Sequence, residues 1–182
     1  MIDKKIIEQC LKNDKVSQKK LYDSLASKMY AVCLRYASKR VSADDILQEA
    51  FIKVFKYLPT FNFSGSFEGW VRRIVVNTAL DQIKKYAEPF GDIDEASSDE
   101  TLISVNDAIA QLSSQELFAL IQSLPEGKRM IFNLYAFEGY SHKEIAQLLG
   151  ISVMTSKGQY SKAKKMLQEK IMKINHISYE HK

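Results

Sequence analysis

A chain of 182 residues, 46% hydrophobic and 26% charged, has room for one domain or two small ones and has the composition of a soluble protein. No run approaches the roughly 18 apolar residues of a membrane helix, and the start of the chain lacks the apolar core and cleavage site of a secretory signal. Only two cysteines and three histidines are present, without metal-binding spacing, so we expect no metal, no cofactor, and buried, reduced thiols at Cys10 and Cys33.

The net charge of +4 hides an uneven distribution of charge along the chain. Residues 1–85 hold 16 Lys and Arg against 9 Asp and Glu, and residues 128–182 hold 10 against 4. Residues 86–127 hold 9 acidic side chains and no basic one. Two basic blocks around an acidic one suggest two surfaces for a polyanion and a middle segment that avoids it.

Two amphipathic helices are predicted ahead of residue 42, at residues 1–12 and 17–38, because apolar side chains recur at spacings of three and four. We expect the Lys and Arg side chains of the second helix to form the solvated basic face of a helical bundle. Ser42, with Asp45 three residues on, is expected to cap the next helix.

Residues 44–85 are expected to form the central feature of the chain, two helices joined by an aromatic loop at residues 59–69. The first helix has one apolar stripe and an acidic opposite face. The second helix, from residue 70, is apolar around most of its circumference and is therefore expected to be largely buried. One narrow stripe on it mixes aromatic, cationic and amide side chains at helical spacing, which suits contact with a partner. Its members are Trp70, Arg73, Asn77, Asp81 and Lys84.

The loop holds three phenylalanines, Phe61, Phe63 and Phe67, among Asn, Ser and Gly. Because exposed phenylalanine is costly, these side chains either fold back onto the bundle as plugs or form a platform for an unstacked base. The residues alone leave both interpretations open.

Residues 87–112 carry most of the acidic block and are predicted to be a linker, since Pro89, Gly91 and paired serines interrupt the helical period. Helix is expected to return at about residue 105. From residue 113 onward, serines followed by a glutamate three residues later predict capped helix starts, a proline predicts another start, and glycines predict helix ends. These signals are Ser113 with Glu116, Ser141 with Glu144, Pro125, Gly139 and Gly150.

No stretch has the period-two pattern of a strand, so we predict an all-α protein with two helical domains. The N-terminal helical bundle would span residues 1–86 and the acidic linker residues 87–112. A C-terminal four-helix domain would span residues 113–175, with its last helix from residue 153 to about residue 173.

Residues 141–165 have the pattern of a helix-turn-helix: a capped short helix, a glycine turn and a second capped helix rich in Lys. The expected core positions are Ile145, Ala146, Leu149, Ile151, Tyr160, Ala163 and Leu167. The expected exposed face holds Thr155, Lys157, Gln159, Ser161, Lys162 and Lys165. Lysine suits phosphate and Gln159 suits a base edge, so we favour DNA over an ordinary helical hairpin with a basic exterior. Ser156 stands where an apolar side chain would pack better, and Gly158 costs about 1 kcal/mol relative to alanine but lets the backbone approach phosphate.

Such a chain is compatible with several classes of function. A helix-turn-helix regulator with a helical dimerisation domain would bind palindromic DNA by itself. An enzyme is disfavoured, because we find no glycine-rich phosphate loop and no defensible Ser/His/Asp or Cys/His set. A third class follows from a resemblance of two segments to a known family.

The segment LPEGKRMIFNLYAFEGYSHKEIAQLLGISVMTSKGQYSKAKKML resembles the promoter-recognising C-terminal domain of bacterial sigma factors of the extracytoplasmic-function (ECF) group. The segment SADDILQEAFIKVFKYLPTFNFSGSFEGWVRRIVVNTALDQIKK resembles their N-terminal core domain. Both occur in the right order around an acidic linker. The resemblance implies a sigma factor that directs core RNA polymerase to specific promoters and has no catalytic site of its own.

The resemblance also implies roles for individual residues. Asp45, Gln48 and Glu49 would face a coiled coil of the largest polymerase subunit. The aromatic loop and the helix after it would open the −10 region and capture a non-template base, with a pocket that includes Phe61 and Asn77. The implied −10 contacts are Phe61, Phe63, Trp70, Arg73, Asn77 and Lys84.

The last helix would read the −35 element through Thr155, Lys157, Gly158, Gln159, Ser161, Lys162 and Lys165. The family commonly has Gly, Val and Arg where this chain has Met154, Ser156 and Gln159, so its −35 preference cannot be copied from other members. Further implied partners are promoter DNA, the flap of the second-largest polymerase subunit and a membrane-linked anti-sigma factor. The protein itself would be cytoplasmic, without direct insertion into a membrane.

Overall fold

A computed structural model describes residues 3–86 and 113–180, and every regular element within them is helical. The all-α prediction is therefore confirmed. The chain divides into two compact units, Met1–Glu88 and Pro89–Lys182. The predicted linker at residues 87–112, including the helix expected from about residue 105, lies outside the described residues. No helix in the described ranges is long and apolar enough to cross a membrane.

The N-terminal unit is built from helices that begin at side-chain caps. Its described elements are α1 (Lys4–Leu11), α2 (Lys15–Tyr36), α3 (Ala43–Tyr57), a short 3-10 helix (Leu58–Thr60) and α4 (Phe67–Tyr86). Asp14 accepts a hydrogen bond from the backbone N–H of Ser17 at 2.9 Å, so α2 starts two residues earlier than predicted. Ser42 caps α3 as predicted, because its hydroxyl accepts from the backbone N–H of Asp45 at 3.0 Å.

The core of the N-terminal unit lies where α2, α3 and α4 pack on one another, with α1 added against α2. Helix α4 is largely buried, as its all-round apolar pattern predicted. Both cysteines are buried and free, which confirms the expectation for them. Fully buried side chains here include Leu21, Leu25, Met29, Ile46, Val54, Val71, Val75 and Leu80.

The predicted loop at residues 59–69 is shorter than expected. Helix α4 begins at Phe67 rather than at residue 70. Ser66 supplies the cap, since its hydroxyl accepts from the backbone N–H of Gly69 at 3.2 Å and its carbonyl accepts from the N–H of Trp70 at 3.0 Å. The irregular segment between the two helical elements is therefore residues 61–66.

The C-terminal unit contains α5 (Ser114–Gln122), α6 (Glu126–Ala136), α7 (His142–Leu149) and α8 (Val153–Glu180). Both predicted capping boxes are present, at Ser113 and at Ser141. Gly150 ends α7 with φ at 69°, the left-handed conformation that glycine adopts without strain. Helix α8 continues to Glu180, beyond the predicted end near residue 173. The core joins α5 and α6 to α8 and includes Ile121, Leu124, Met130, Ile131, Leu134, Ala163 and Leu167.

Candidate nucleic-acid interface

The face of α3 that is turned away from the core is acidic and accessible. Asp45 and Gln48 are exposed, and Glu49 is half-buried. One turn beyond Gln48, Ile52 is 68% exposed, so an aliphatic side chain lies on the same polar face. Sequence reasoning missed Ile52. Its position outside the apolar stripe of α3 is the signal that could have found it.

Glu49 is held in place by side chains of its own unit. Its carboxylate accepts a hydrogen bond from Gln82 Nε2 at 2.7 Å and lies 3.0 Å from Lys53 Nζ. Hydrogen bonding by Gln82 and then by Lys53 lowers the pKa of Glu49 below its usual range. Lys53 Nζ also lies 3.3 Å from Asp81 Oδ2 of α4. Asp81, a member of the predicted stripe, is therefore paired with a cation from α3.

Four aromatic rings form a cluster at the start of α4. Phe61 is buried at its centre, with ring centroids 5.0 Å from Phe63, 5.0 Å from Phe67 and 5.4 Å from Trp70. Phe67 is also buried and stacks on Trp70 at 5.6 Å. These contacts assign Phe61 and Phe67 to packing within the unit. They leave half-buried Trp70 and exposed Phe63 as the accessible edge of the cluster.

Phe63 differs from the other rings in backbone and exposure. Its φ is 59°, in the left-handed region that non-glycine residues rarely adopt, and its side chain is 42% exposed. Asn62 stabilises this turn, since its side-chain oxygen accepts from the backbone N–H of Ser64 at 3.1 Å. Lys4 of α1 places its ammonium 5.1 Å from the Phe63 ring centroid. The turn thus presents an aromatic face beside a cation, a combination suited to a stacked base.

The predicted stripe on α4 is accessible along its length. Arg73, Asn77 and Lys84 are exposed, and Trp70 is half-buried at the N-terminal end of the same line. The structure therefore brings the accessible aromatic edge and the cationic and amide side chains together on one face of α4. Their roles in binding DNA remain predictions.

The helix-turn-helix consists of α7, the turn at Gly150 and the N-terminal part of α8. Ser152 starts α8 by accepting a hydrogen bond from the backbone N–H of Thr155 at 2.9 Å. The predicted core is largely correct: Ile145, Ala146, Leu149, Ala163 and Leu167 are buried, while Ile151 and Tyr160 are half-buried.

The predicted exposure of Thr155 is wrong. Its side chain is 9% exposed and its hydroxyl lies 2.8 Å from that of Ser152, so it belongs to the cap of α8. Gln159 and Lys162 are half-buried at the border of the exposed face. Lys157, Ser161 and Lys165 are exposed as predicted and follow one another at helical spacing.

Ser156 is fully buried, and the reason was invisible in the sequence. Its hydroxyl lies 2.9 Å from Nδ1 of His142, in the first turn of α7, so a polar pair joins the two helices of the motif. The His142 ring stacks on Tyr135 at 4.4 Å and meets Tyr160 edge-on at 5.7 Å. Burial, and then the positive charge of Lys157, lowers the pKa of His142, which favours the neutral ring.

Together these features define a two-unit, all-α protein with a helix-turn-helix in its second unit. The model of the family described as "Sigma-70 region 2" matches residues 21–88, and the one described as "Sigma-70, region 4" matches residues 114–167. The chain belongs to the ECF group of the sigma-70 family. It is a transcription initiation factor that directs RNA polymerase to specific promoters, and it is not an enzyme.

Individual relatives agree with this assignment over nearly the whole chain. The ECF RNA polymerase sigma-E factor of Escherichia coli K12 is 29% identical over 185 aligned positions, which cover 96% of each chain. The RNA polymerase sigma-H factor of Pseudomonas aeruginosa is 26% identical, covering 94% of this chain and 95% of its own.

A solved structure shares the fold. It is the sigma factor RpoE in complex with the anti-sigma factor NepR from Bartonella quintana, with 20% identity and a TM-score of 0.51. The match covers 86% of this chain and 96% of that one.

Proposed function

We propose that this sigma factor divides its work among three surfaces: the acidic face of α3 binds polymerase, the aromatic edge and stripe of α4 bind the melted −10 region, and α8 binds the −35 element. The observation that carries the proposal is the separation of these surfaces by charge. An acidic face on a unit that is basic overall suits a protein partner, whereas the exposed basic side chains of α4 and α8 suit phosphates.

The polymerase surface consists of Asp45, Gln48 and Glu49, with Ile52 as an apolar anchor at its C-terminal end. An exposed aliphatic side chain beside polar groups gives a partner apolar area to bury on binding. The matching surface on core polymerase would be the coiled coil of its largest subunit, and a cation presented by that surface would compete with Lys53 for Glu49.

Holoenzyme assembly tests the polymerase surface. Asp45→Arg should weaken binding to core polymerase by at least about tenfold, because it places like charges opposite each other in an interface. Asp23→Arg makes the same change at an exposed acidic position of α2 and should leave binding unchanged. Equal binding by both variants would contradict the proposed surface.

The −10 surface consists of Phe63 and Trp70 as a stacking edge, with Arg73, Asn77 and Lys84 along the same helix face. Phe61 supports this edge from beneath, so its contribution to base capture would be indirect. Stacking of an unpaired base on an aromatic side chain contributes about 1–3 kcal/mol, enough to favour strand opening at an AT-rich step.

A premelted promoter separates melting from other steps. Phe63→Ala holoenzyme should open a fully paired promoter about tenfold less well, as seen by permanganate reactivity of unpaired thymines. A promoter with mismatched −10 bases should restore much of the loss. Tyr57→Ala removes an exposed ring of the same unit, 44% exposed, and is the matched control. Identical defects on paired and mismatched promoters would argue against a role in melting.

The −35 surface consists of three exposed side chains and three residues at its borders, while Thr155 supports it from within α8. The exposed members are Lys157, Ser161 and Lys165, and the border members are Gly158, Gln159 and Lys162.

Lys157→Ala should reduce protection of the upstream element and lower the salt dependence of holoenzyme binding by about one counterion. Lys173→Ala changes an exposed lysine on the same helix, about 12 Å further along than Lys165, and is the control. A normal footprint for Lys157→Ala would remove this lysine from the proposed surface.

This function implies a cytoplasmic protein, because polymerase and chromosome are there. It also implies an anti-sigma partner that covers the polymerase surface, by analogy with the RpoE–NepR complex and with the membrane-linked partners of the family. If purified protein instead bound palindromic DNA as a dimer and ignored core polymerase, a conventional helix-turn-helix regulator would be the correct class.

A further inference from the structure

Met154 has the most exposed large hydrophobic side chain among the described residues, at 74%. It lies in the first turn of α8, next to Val153, which is also exposed. Within the described part of the C-terminal unit, about three quarters of the Met154 side chain stays uncovered. A flexible apolar side chain is therefore held in solvent at the end of the helix that the proposed function places on duplex DNA.

Met154 lies in line with the basic surface of α8. Met154, Lys157, Ser161 and Lys165 follow at spacings of three, four and four, and all are exposed. The opposite side of the helix is buried and is formed by Thr155, Ser156, Ala163 and Leu167. Met154 is therefore the N-terminal member of the outward line, which also carries two lysines suited to phosphates.

The backbone that carries Met154 is fixed by its neighbours. Ser152 accepts from the N–H of Thr155 at 2.9 Å, and its carbonyl accepts from the N–H of Ser156 at 3.1 Å. The Ser156 hydroxyl is tied to His142 at 2.9 Å. Only the side-chain torsions of Met154 remain free. Its Cα position is therefore fixed, while its apolar side chain can adapt to a contact.

We propose that Met154 is a specificity-determining residue that reads thymine in the upstream promoter element by contact with the C5-methyl group. The proposal rests on the proposed −35 role of α8. Thymine carries the one methyl group on the major-groove edges of the four bases, and N-terminal residues of a recognition helix reach those edges. A cytosine at the same place has only a hydrogen at C5, so this contact with the thioether side chain would be lost.

The polar side chains of α8 do not supply this methyl contact. Thr155 is committed to the helix cap, and Gln159 lies at the border of the buried face. Lysine contacts position the helix on the backbone and carry little sequence information. The exposed line thus combines phosphate contacts that are indifferent to sequence with one apolar contact that favours a methyl group.

Replacement of thymine by deoxyuridine tests the contact, because it removes the methyl and leaves the base pair intact. The upstream sequence would first be selected from a randomised library with the wild-type holoenzyme. Each selected thymine is then replaced singly by deoxyuridine, and holoenzyme binding is measured. Wild type should lose about three- to tenfold at one or two thymines, the range expected for a buried methyl group.

Three protein variants complete the thymine-to-deoxyuridine experiment. Met154→Ala should bind the thymine promoter less tightly and should show no difference between thymine and deoxyuridine at those positions. Met154→Leu, which keeps an apolar side chain, should retain most of the difference. Lys157→Ala should weaken binding to both DNAs by the same factor, since it removes a phosphate contact.

The outcomes separate this inference from the proposed function. A wild-type holoenzyme that binds thymine and deoxyuridine equally at every position, or a Met154→Ala variant that keeps the difference, overturns the inference while the effect of Lys157→Ala still supports the −35 role. If holoenzyme binding does not depend on the upstream element and Lys157→Ala has no effect on it, both the inference and the proposed −35 role are overturned.

Discussion

Gln82 of α4 donates a hydrogen bond of 2.7 Å to the carboxylate of Glu49 on α3. The same amide lies 3.4 Å from the backbone carbonyl of Asp45, at the other end of the polymerase surface. One side chain of α4 therefore holds the acidic face of α3 at two points, and the geometry of the polymerase surface depends on a helix proposed to bind DNA.

The Glu49–Gln82 pair predicts a pH dependence of stability. Hydrogen bonding by Gln82 lowers the pKa of Glu49 in the folded state, so the pair stabilises the fold above the ordinary pKa range of a glutamate. This contribution is lost as the pH falls through the lowered pKa. Gln82→Leu should reduce the free energy of unfolding by about 1 kcal/mol at pH 7 and by less at pH 4.

Urea unfolding followed by circular dichroism at the two pH values measures this difference. Gln48→Leu makes the same substitution at an exposed position and should change stability by no more than about 0.5 kcal/mol. If Gln82→Leu lowered the free energy of unfolding equally at both pH values, the charge of Glu49 would not contribute to the stabilisation by this pair.

The aromatic cluster predicts opposite phenotypes for two phenylalanines that lie four residues apart. Phe67→Ala removes a buried ring and should cost about 3 kcal/mol of stability. Phe63→Ala removes an exposed ring and should cost less than about 1 kcal/mol, while impairing promoter opening. Denaturant titrations of both variants, set beside their promoter-opening rates, check the prediction; similar stability losses would show that Phe63 is also a core residue.

The His142–Ser156 pair predicts that mild acid weakens the helix-turn-helix. Burial lowers the pKa of His142 below that of an unfolded histidine, so the unfolded chain binds the proton more readily. The stability of the C-terminal unit should therefore be greatest above the unfolded pKa of about 6.5 and fall as the pH is lowered through the folded pKa. Amide exchange in α7 and α8 at pH 7.5 and 5.5 measures the effect.

Two substitutions sharpen that test. His142→Gln should remove most of the pH dependence. Ser156→Ala leaves His142 without its partner and should cost about 1–3 kcal/mol at neutral pH. If His142→Gln keeps the full pH dependence, another group is responsible.

The two cysteines should be inert in the native protein. Burial raises the pKa of Cys33 to about 12 and also raises the pKa of Cys10. Because the thiolate is the reactive form, iodoacetamide at pH 8 should modify neither residue appreciably until denaturant is added, as followed by mass spectrometry. Rapid modification of Cys33 without denaturant would show that α2 opens locally.

Much of this architecture could be predicted from the sequence because its signals are local. Helical period, capping serines and the glycine at position 150 act within a few residues, so helix order and the helix-turn-helix were correct. The start of α4 was misplaced because Phe67 looks like a loop residue until its burial against Phe61 is known.

The site departs from the sequence prediction at Thr155, which is buried, and at Ile52, which is exposed on a polar face. Ser156 lies at a buried position, as expected, but its hydroxyl has a partner there that the sequence did not indicate. Ser152 satisfies the hydroxyl of Thr155, and His142, fourteen residues away, satisfies that of Ser156. Partners at that distance in sequence are set by packing, which residue patterns do not encode directly.

The two sides of α8 have a practical consequence for engineering. Thr155, Ser156 and Ala163 maintain the fold, whereas Met154, Lys157 and Ser161 face outward and contribute little to it. Substitutions at the outward positions should change stability by only about 0.5 kcal/mol, well inside the margin of a small domain. A library restricted to these outward positions could therefore yield holoenzymes with new promoter preferences that operate side by side in one cell.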